Sequence, residues 1–586
     1  MTKNKNNTEP TIYLIKKMWK FSEWNRRNVI VYILMSCLAN IFMLLEPIVF
    51  AFFINEIQQN WVVRSNIWYL LFILSLMIFL GLAFWFFHWI SRVIERKNAF
   101  LVRLNYKKYL FEKTLNFDLD WHNNKQSGDS IDKIEKATTS LYEFSGRMFM
   151  IIKIMISAIW TIVALLYFGF YISIWVLIGV IIGIYILSLF DKRLVPQYKS
   201  INISENKITA KIYDSLSNIT SVIILNIKRI VLGDIEKSFY LPESVFNKNI
   251  VLNELKWFSW SIFLRIITIV PISFYVLQSY HNNTIIQAWT ISALYLYLSN
   301  LSGVFFWFSE LYSKIIIQKT SVENATAIEY WDTNKVIRRK TIQAKNIELK
   351  ELKFSYQDSD MILDNVNLHI KSWEKIAIIW HSGSWKTTFL KILHSLYHFS
   401  DWKIVINGNK SFSDLSTIDL QTTLVPQEPE LFVASIRENI TFWLDYSDKK
   451  IREFTDMSCF SEVVDRLPSG LDSKINEKWV NLSGWQKQRL ALARALLFAE
   501  KKNIILLDES TSSVDAGNET KIYKNILKSY TDKTIISSIH KLNLLKYFDR
   551  VILFEDWKII CDGNFKYLLK NNKKFSQMWK EFKEDK

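Results

Sequence analysis

Between Ile376 and Leu393 the chain reads IAIIWHSGSWKTTFLKIL, an apolar β-like run, a tight polar loop and then a helical pattern. Set against the spacing G-x-x-x-x-G-K-[ST], it puts Lys386 and Thr387 at the opening of a helix. There the free backbone N–H groups, the positive end of the helix dipole and the ammonium converge, and the chemistry they suit is phosphate binding. Two positions that such a loop gives to glycine hold Trp380 and Trp385 instead. An indole with its Cβ denies phosphate the close approach to bare backbone that glycine allows. Further on, NIILLDES sets Asp508 and Glu509 after an apolar run and before TSSVD, where a carboxylate can polarise water for in-line attack on phosphorus.

These residues need a scaffold, and the surrounding text supplies one. From about residue 346 short β-like runs such as Ile376–Ile379 and Asn503–Leu507 alternate with helical patterns, which predicts an α/β domain with a parallel sheet core over 346–586. A linker is expected at 321–345. The text before it has another character. Of the 586 residues 50% are hydrophobic and 15% aromatic, high for a soluble chain. Apolar runs at 29–54, 67–90, 148–168, 171–190, 258–280 and 284–308 predict six spanning helices within a transmembrane domain at 29–320, because a bilayer core of about 30 Å needs about 20 helical residues. The stretch Ile154–Phe190 has no charged residue or histidine and must fold into two spans near Phe168–Tyr171.

Charge orients this set. Residues 1–28 and the segments 91–153 and 191–257 are rich in Lys and Arg, whereas the connections at 55–66, 168–171 and 281–283 carry only Glu56, Arg64 and His281. The positive-inside rule puts the basic segments, both termini and the α/β domain in the cytoplasm of a multi-pass protein of the cell membrane. The net charge of +17 belongs to these flanks, and nucleic-acid binding is not expected. MTKNKNNTEP shows no signal-peptide h-region, so insertion is expected to rest on the first span. Cys37, Cys459 and Cys561 are too scattered for a disulfide framework or a zinc site. Glu46 within the first span would face a cavity, sit in a wetted kink beside Pro47, or pair with Lys153 or Arg265.

Six ordered motifs then give the chain its likeness: ELKFSYQ, the loop before Lys386, LVPQEPELF, NLSGWQKQRLALARAL, NIILLDESTSSVD and TIISSIH. In this order, after six spans, they resemble an ABC-type exporter half-transporter. The resemblance implies an all-α six-helix transmembrane domain followed by an α/β P-loop ATPase domain, and ATP with Mg²⁺ as ligands. Tyr356 would stack on adenine. Trp380, His381, Ser382, Gly383, Ser384, Trp385, Lys386, Thr387 and Thr388 would form the phosphate cradle, with Lys386 on the β- and γ-phosphates. Thr387, Gln427 and Asp508 would attend the metal ion, Glu509 would be the catalytic base, and Gln427 and His540 would act beside it. Ser483, Gly484, Trp485 and Gln486 would bind the γ-phosphate of a nucleotide held by a second half-transporter, identical or paired, and Asp515 would touch that partner. Segments near Phe117–Gly128 and Tyr213–Asn218 resemble coupling helices. The implied work is alternating-access export of a lipid, drug or hydrophobic peptide through a cavity expected to hold few charges.

One departure from the family is systematic. Trp289, Trp373, Trp380, Trp385, Trp402, Trp443, Trp479, Trp485 and Trp557 fall where the family usually has glycine, and with 14 Gly against 23 Trp, restoring all nine would exchange the two counts. Decay would not be expected to strike glycines while sparing every charged motif residue. The pattern fits a gene in which UGA specifies glycine and is rendered here as tryptophan. UGG codons at 380, 385 and 485 would refute that reading.

Overall fold

The computed structural model describes residues 9–60, 67–117, 119–124, 127–168, 170–329, 344–355, 361–380, 385–397, 403–408, 410–412, 419–475, 482–555 and 558–584. Tyr356 and His381–Ser384 therefore lie outside the described residues, as do Trp402, Trp479 and Trp557. The side chains of Trp380 and Trp385 do so too. The chain forms two compact units, one of residues 1–116 and 126–331, the other of 117–125 and 332–586.

The first unit is helical: α1 (Pro10–Phe21), α2 (Arg26–Asn60), α3 (Ile67–Leu115), then, after the short α4 (Leu119–Asn124) that belongs to the second unit, α5 (Ser127–Ser145), α6 (Met148–Phe168), α7 (Phe170–Ser217), α8 (Ile219–Ile224), α9 (Lys228–Tyr240), α10 (Glu243–His281), α11 (Ala288–Asn324) and α12 (Thr326–Glu329). Six of these are long and apolar enough to cross a bilayer, as the apolar runs predict. Four exceed the expected spans by several turns, because their polar continuations stay helical: α3 reaches Leu115, α7 reaches Ser217, α10 begins at Glu243 and α11 reaches Asn324. Pro47 lies inside α2, which runs through it. Glu46 is exposed on that helix, and among the described residues it forms no ion pair with Lys153 or Arg265. Of the alternatives for Glu46, that pairing is not realised.

Packing in this unit depends on close approach. Trp260, Ile267, Leu294, Leu298 and Phe305 form one buried cluster with Leu165, Ile172, Val176 and Leu187 from α6 and α7. Gly179 and Gly183, four apart on α7, face α10. A Cβ at Gly183 would lie 2.7 Å from Phe263 Cε1 and 3.1 Å from Trp260. Small residues at this spacing let two spans pack backbone to ring where lipid offers no hydrophobic drive. Gly183→Ala is therefore expected to cost about 1–3 kcal/mol through overpacking. It should lower the thermal midpoint of the detergent-solubilised protein, whereas Gly233→Ala on α9, with nothing within 4 Å of its added Cβ, should not.

The amphipathic α1 precedes the first span. It buries Leu14, Met18 and Phe21 and sends Lys17 to Glu329 of α12, whose other oxygen accepts from the Tyr106 hydroxyl at 2.7 Å. Sequence reading treats residues 1–28 as a polar segment and misses this buried pair.

The second unit contains β1 (Asn346–Ser355), β2 (Met361–Lys371), β3 (Lys375–Trp380), α13 (Trp385–Leu393), β4 (Lys403–Ile406), β5 (Lys410–Phe412), β6 (Thr422–Val425), α14 (Ile436–Thr441), α15 (Asp448–Met457), α16 (Ser461–Arg466), α17 (Gly484–Ala499), β7 (Ile504–Asp508), α18 (Ala516–Ser529), β8 (Thr534–Ser538), β9 (Arg550–Glu555), β10 (Lys558–Gly563), α19 (Phe565–Asn571) and α20 (Lys573–Glu584). An antiparallel sheet runs β2-β1-β4-β5, and a six-stranded sheet runs β10-β9-β3-β8-β7-β6, parallel except for β10. Alternation explains the near-continuous apolar strands. Ala377, Ile379, Ile505, Leu507 and Ile535 point to one core with α15, α17 and α18, while Ile376, Ile378, Ile504, Leu506 and Ile536 point to another beneath α13 and the antiparallel sheet. The segment 117–125 belongs to this unit although it lies between the second and third apolar runs, and Leu119 packs on the second core. This is the segment likened above to a coupling helix.

Backbone angles bear on the tryptophans. Trp373 (φ 66°) and Trp443 (φ 60°), two of the nine, occupy the left-handed region. A bulky side chain there is a conformational outlier that glycine would relieve. Trp24, in the turn between α1 and α2, holds φ 67° with its side chain fully exposed. The motif comparison does not single it out.

Candidate active site

The chemistry gathers at the carboxyl ends of β3, β6, β7 and β8, where an open α/β sheet presents its loops. Lys386 and Thr387 open α13 directly after the β3 loop. Asp508 ends β7, a strand buried at every position, and is itself 2% exposed. Its Oδ1 accepts from Ser538 Oγ at 3.0 Å, and Thr387 also hydrogen-bonds the carboxylate. Burial, only partly opposed by these bonds and by the Lys386 charge, pushes its carboxyl above the ordinary range. Two side chains thus bring oxygen donors together, a hydroxyl and a carboxylate, and the Gln427 amide lies next to them on Glu509. Hard divalent cations take such donors, and no cluster of three His, Cys, Asp or Glu among the described residues offers a cage made of protein alone.

Glu509 is the most constrained member. Its φ is 41°, and its backbone N–H donates to Ser538 Oγ at 2.8 Å. One carboxylate oxygen bonds the Lys386 ammonium, and the other accepts from Gln427 Nε2 at 2.9 Å. Left-handed backbone at a residue other than glycine costs about 1–3 kcal/mol and persists where neighbours hold it. Here Ser538, Lys386 and Gln427 do so. The lysine expected on phosphate and the carboxylate expected on water are therefore direct partners, a contact that sequence spacing does not reveal.

Gln488, which sequence reading passes over, joins the loops. Its Nε2 donates to the Gln427 carbonyl and to Ser512 Oγ, each at 3.2 Å, and its Oε1 accepts from Ser513 N at 3.1 Å. Two places past Gln486 in NLSGWQKQR, it is a buried amide on α17, which was the available signal. Ser538, carried by TIISSIH, likewise shows its role only through its bonds to Glu509 N and Asp508.

The remaining predicted residues divide. Thr388 is buried one place beyond Thr387. Ser483 caps α17, its N–H donating to Gln486 Oε1 at 2.9 Å in a capping box, so these two residues build the helix start. Gly484 is the first helical residue, with open space around it. Trp485 follows in regular helix, half-buried, with the Arg489 guanidinium 4.2 Å from its ring. Asp515 caps α18 by accepting from Asn518 N at 3.0 Å, and that bond holds its carboxyl below the ordinary range. His540 is exposed just past β8. No hydrogen bond among the described residues brings Ser483, Gly484, Trp485, Asp515 or His540 to the Lys386–Glu509 cluster.

Below α13, His394 Nδ1 lies 2.6 Å from Thr422 Oγ1, and burial followed by the Lys502 charge pushes its imidazole down to about 4. From its ordinary value of about 6.5 down to about 4 the unfolded chain takes a proton that the folded unit refuses. This contribution is complete above that window and is lost as pH falls through it, by up to ~1.4 kcal/mol per pH unit. Hydrogen exchange at Thr422–Val425, corrected for intrinsic rates, should show the loss, and His394→Gln should flatten it.

Comparison with known families identifies both domains. The family described as "ABC transporter transmembrane region" matches residues 29–317, and "ABC transporter" matches 363–512. The chain belongs to the ABC transporter family. It carries both ABC domains fused in one polypeptide. Two rickettsial proteins are described as "Putative export ATP-binding/permease protein". The one from Rickettsia bellii is 32% identical over 41% of this chain and 42% of its own length. The one from Rickettsia typhi is 25% identical over 97% and 99%. The chain thus spans under half the length of the first curated relatives it matches, and nearly all of others. A solved structure titled "Structure of a bacterial Atm1-family ABC exporter with ATP bound" superposes with TM-score 0.84 at 19% identity, covering 95% of this chain and 98% of that one. That likeness establishes the fold.

Proposed function

We propose that this ABC transporter chain is half of an ATP-driven exporter of a hydrophobic or amphipathic substrate, with its ATPase unit in the cytoplasm. The observation that carries the reading is the convergence of Lys386, Thr387, Gln427, Asp508 and Glu509 at the ends of β3, β6 and β7, in a chain that also supplies six apolar helices. ATP is the phosphate donor that such a cradle and carboxylate suit.

In this mechanism Lys386 leaves Glu509 for the β- and γ-phosphates, since the triphosphate is the stronger anion. Glu509, released but still tethered through Gln427 and Ser538, orients water behind the γ-phosphorus and takes its proton. Thr387, Asp508 and Gln427 would hold Mg²⁺, which supplies charge neutralisation on the phosphate oxygens. The α17 start, built by Ser483 and Gln486, would face the γ-phosphate of a nucleotide bound to a second copy, with Asp515 at that seam, while His540 would act beside Glu509 on the γ-phosphate of its own chain's nucleotide. The functional form would then be a dimer, of two identical chains or of this chain with a paired half-transporter. Closure around two ATP molecules shifts the helices from inward to outward opening because the closed dimer binds ATP more tightly. ATP hydrolysis by the purified chain in lipid, set against Glu509→Gln, tests the reading. Equal rates would sink it.

A further inference from the structure

A chamber of about 630 Å³ lies within the first unit, between α3, α6 and α11, where their apolar runs give way to charge. Its size falls in the range of small-molecule sites. Five cationic side chains line it: Arg92, Arg96, Arg147, Lys153 and Lys314, against one lining carboxylate, Glu310. Phe84, Phe149 and Trp307 supply apolar wall. A second cavity of about 460 Å³, walled by residues such as Phe52, Trp160, Tyr167 and Tyr297, has no charged lining residue, so the charge is particular to this chamber.

The charges are only partly answered. Arg92 pairs with the buried Glu95 and donates to the Gly146 carbonyl at 3.1 Å. Arg147 approaches Glu143 at 3.8 Å, and Lys314 bonds Glu310 at 2.5 Å. For Arg96 and Lys153 no carboxylate lies within ion-pair distance among the described residues. Lys153 is half-buried on an otherwise apolar stretch of α6. Beside it, His88 packs edge-on to Phe149 at 4.4 Å and leaves its Nδ1 buried without a hydrogen-bond partner. Uncompensated cations next to a buried unsatisfied nitrogen and aromatic walls form an incomplete set, and the missing member is an anion that carries apolar mass. Basic pockets between spans on the cytoplasmic side take phosphate head groups for this reason.

We propose that the chamber binds the phosphate head of an anionic amphiphile, with Arg96 and Lys153 as its principal counter-ions and the rings of Phe84, Phe149 and Trp307 against its apolar part. The assignment deepens the exporter reading and rests on it for the word substrate, but binding itself is readable without transport.

The test is titration of the full-length chain in neutral detergent with dihexanoyl phosphatidic acid, dihexanoyl phosphatidylcholine and inorganic phosphate, followed by native mass spectrometry and by quenching of tryptophan fluorescence. The phosphatidic acid should bind at least ~10-fold tighter than the phosphatidylcholine. The double variant R96Q/K153Q should lose that preference, and the charge-keeping R96K/K153R should retain most of it. No preference in the wild type, or full preference in R96Q/K153Q, would overturn the assignment. Inorganic phosphate competing at the same concentration as the lipid would place the affinity in the anion alone and overturn the amphiphile. ATPase measured on the same preparation separates the two readings: lost preference with ATPase intact refutes the chamber, and no ATPase with preference intact refutes the pump.

Discussion

Glu509→Gln is expected to lower steady-state phosphate release at least ~100-fold while the protein still binds ATP. The substitution keeps volume and the hydrogen bond from Gln427, so the α13 cradle and the β7 strand should stand. It removes the proton acceptor, and a positioned general base contributes about 10²–10⁴-fold. It also removes the charge that pairs with Lys386, so the ammonium is freer to meet phosphate and apparent ATP affinity should rise. Release of ³²P-phosphate with equilibrium binding of labelled ATP checks both halves. Unchanged hydrolysis would remove Glu509 from the chemistry, and lost binding would mean that the Lys386–Glu509 contact holds the cradle open.

Glycine at the tryptophan positions should matter still more. Chains synthesised with glycine at 380, 385 and 485 should hydrolyse ATP, and chains carrying tryptophan there should show no rate above background, since an indole fills the space that phosphate must enter. The protein isolated from its own cell should give peptides lighter by the difference between a tryptophan and a glycine residue at these positions and at 373 and 443. The backbone supplies independent reason at the last two, whose φ values of 66° and 60° suit glycine, and it nominates Trp24 at 67° as well. Trp485 differs. It sits in regular helix, so glycine there would serve phosphate approach rather than backbone freedom. An active protein whose peptides retain every indole would refute the recoding account.

Much of this architecture is legible in the residues because its signals are periodic or spaced along the chain. Uninterrupted apolar runs announce six helices, and IILLD with IAIIW announces buried parallel strands. Lys386, Thr387, Asp508 and Glu509 can be found by spacing because loops at strand ends project chemistry at fixed offsets. What remains hidden depends on contacts between distant segments. The salt bridge from Lys386 to Glu509 joins residues 123 apart. Gln488 reads as one more polar residue on a helix until its bonds to Gln427, Ser512 and Ser513 are seen. The cationic chamber draws on three helices whose charges, read along the chain, look like ordinary flanks of apolar spans. Lengths fail for a local reason: the extensions of α3 and α7 are polar yet remain helical, so hydrophobicity ends before the helix does.

The central claim is that nucleotide held by Lys386, Thr387, Asp508 and Glu509 moves the membrane helices. Its most direct test is the distance between spin labels at Gln59→Cys in two copies, in a background with Cys37, Cys459 and Cys561 replaced, since Gln59 lies exposed near the end of α2. Trapping ATP with Glu509→Gln should shift the distance distribution to a new, longer maximum, and adding Lys386→Ala should abolish the shift. A distribution that ignores ATP, or that shifts equally without Lys386, would contradict the account.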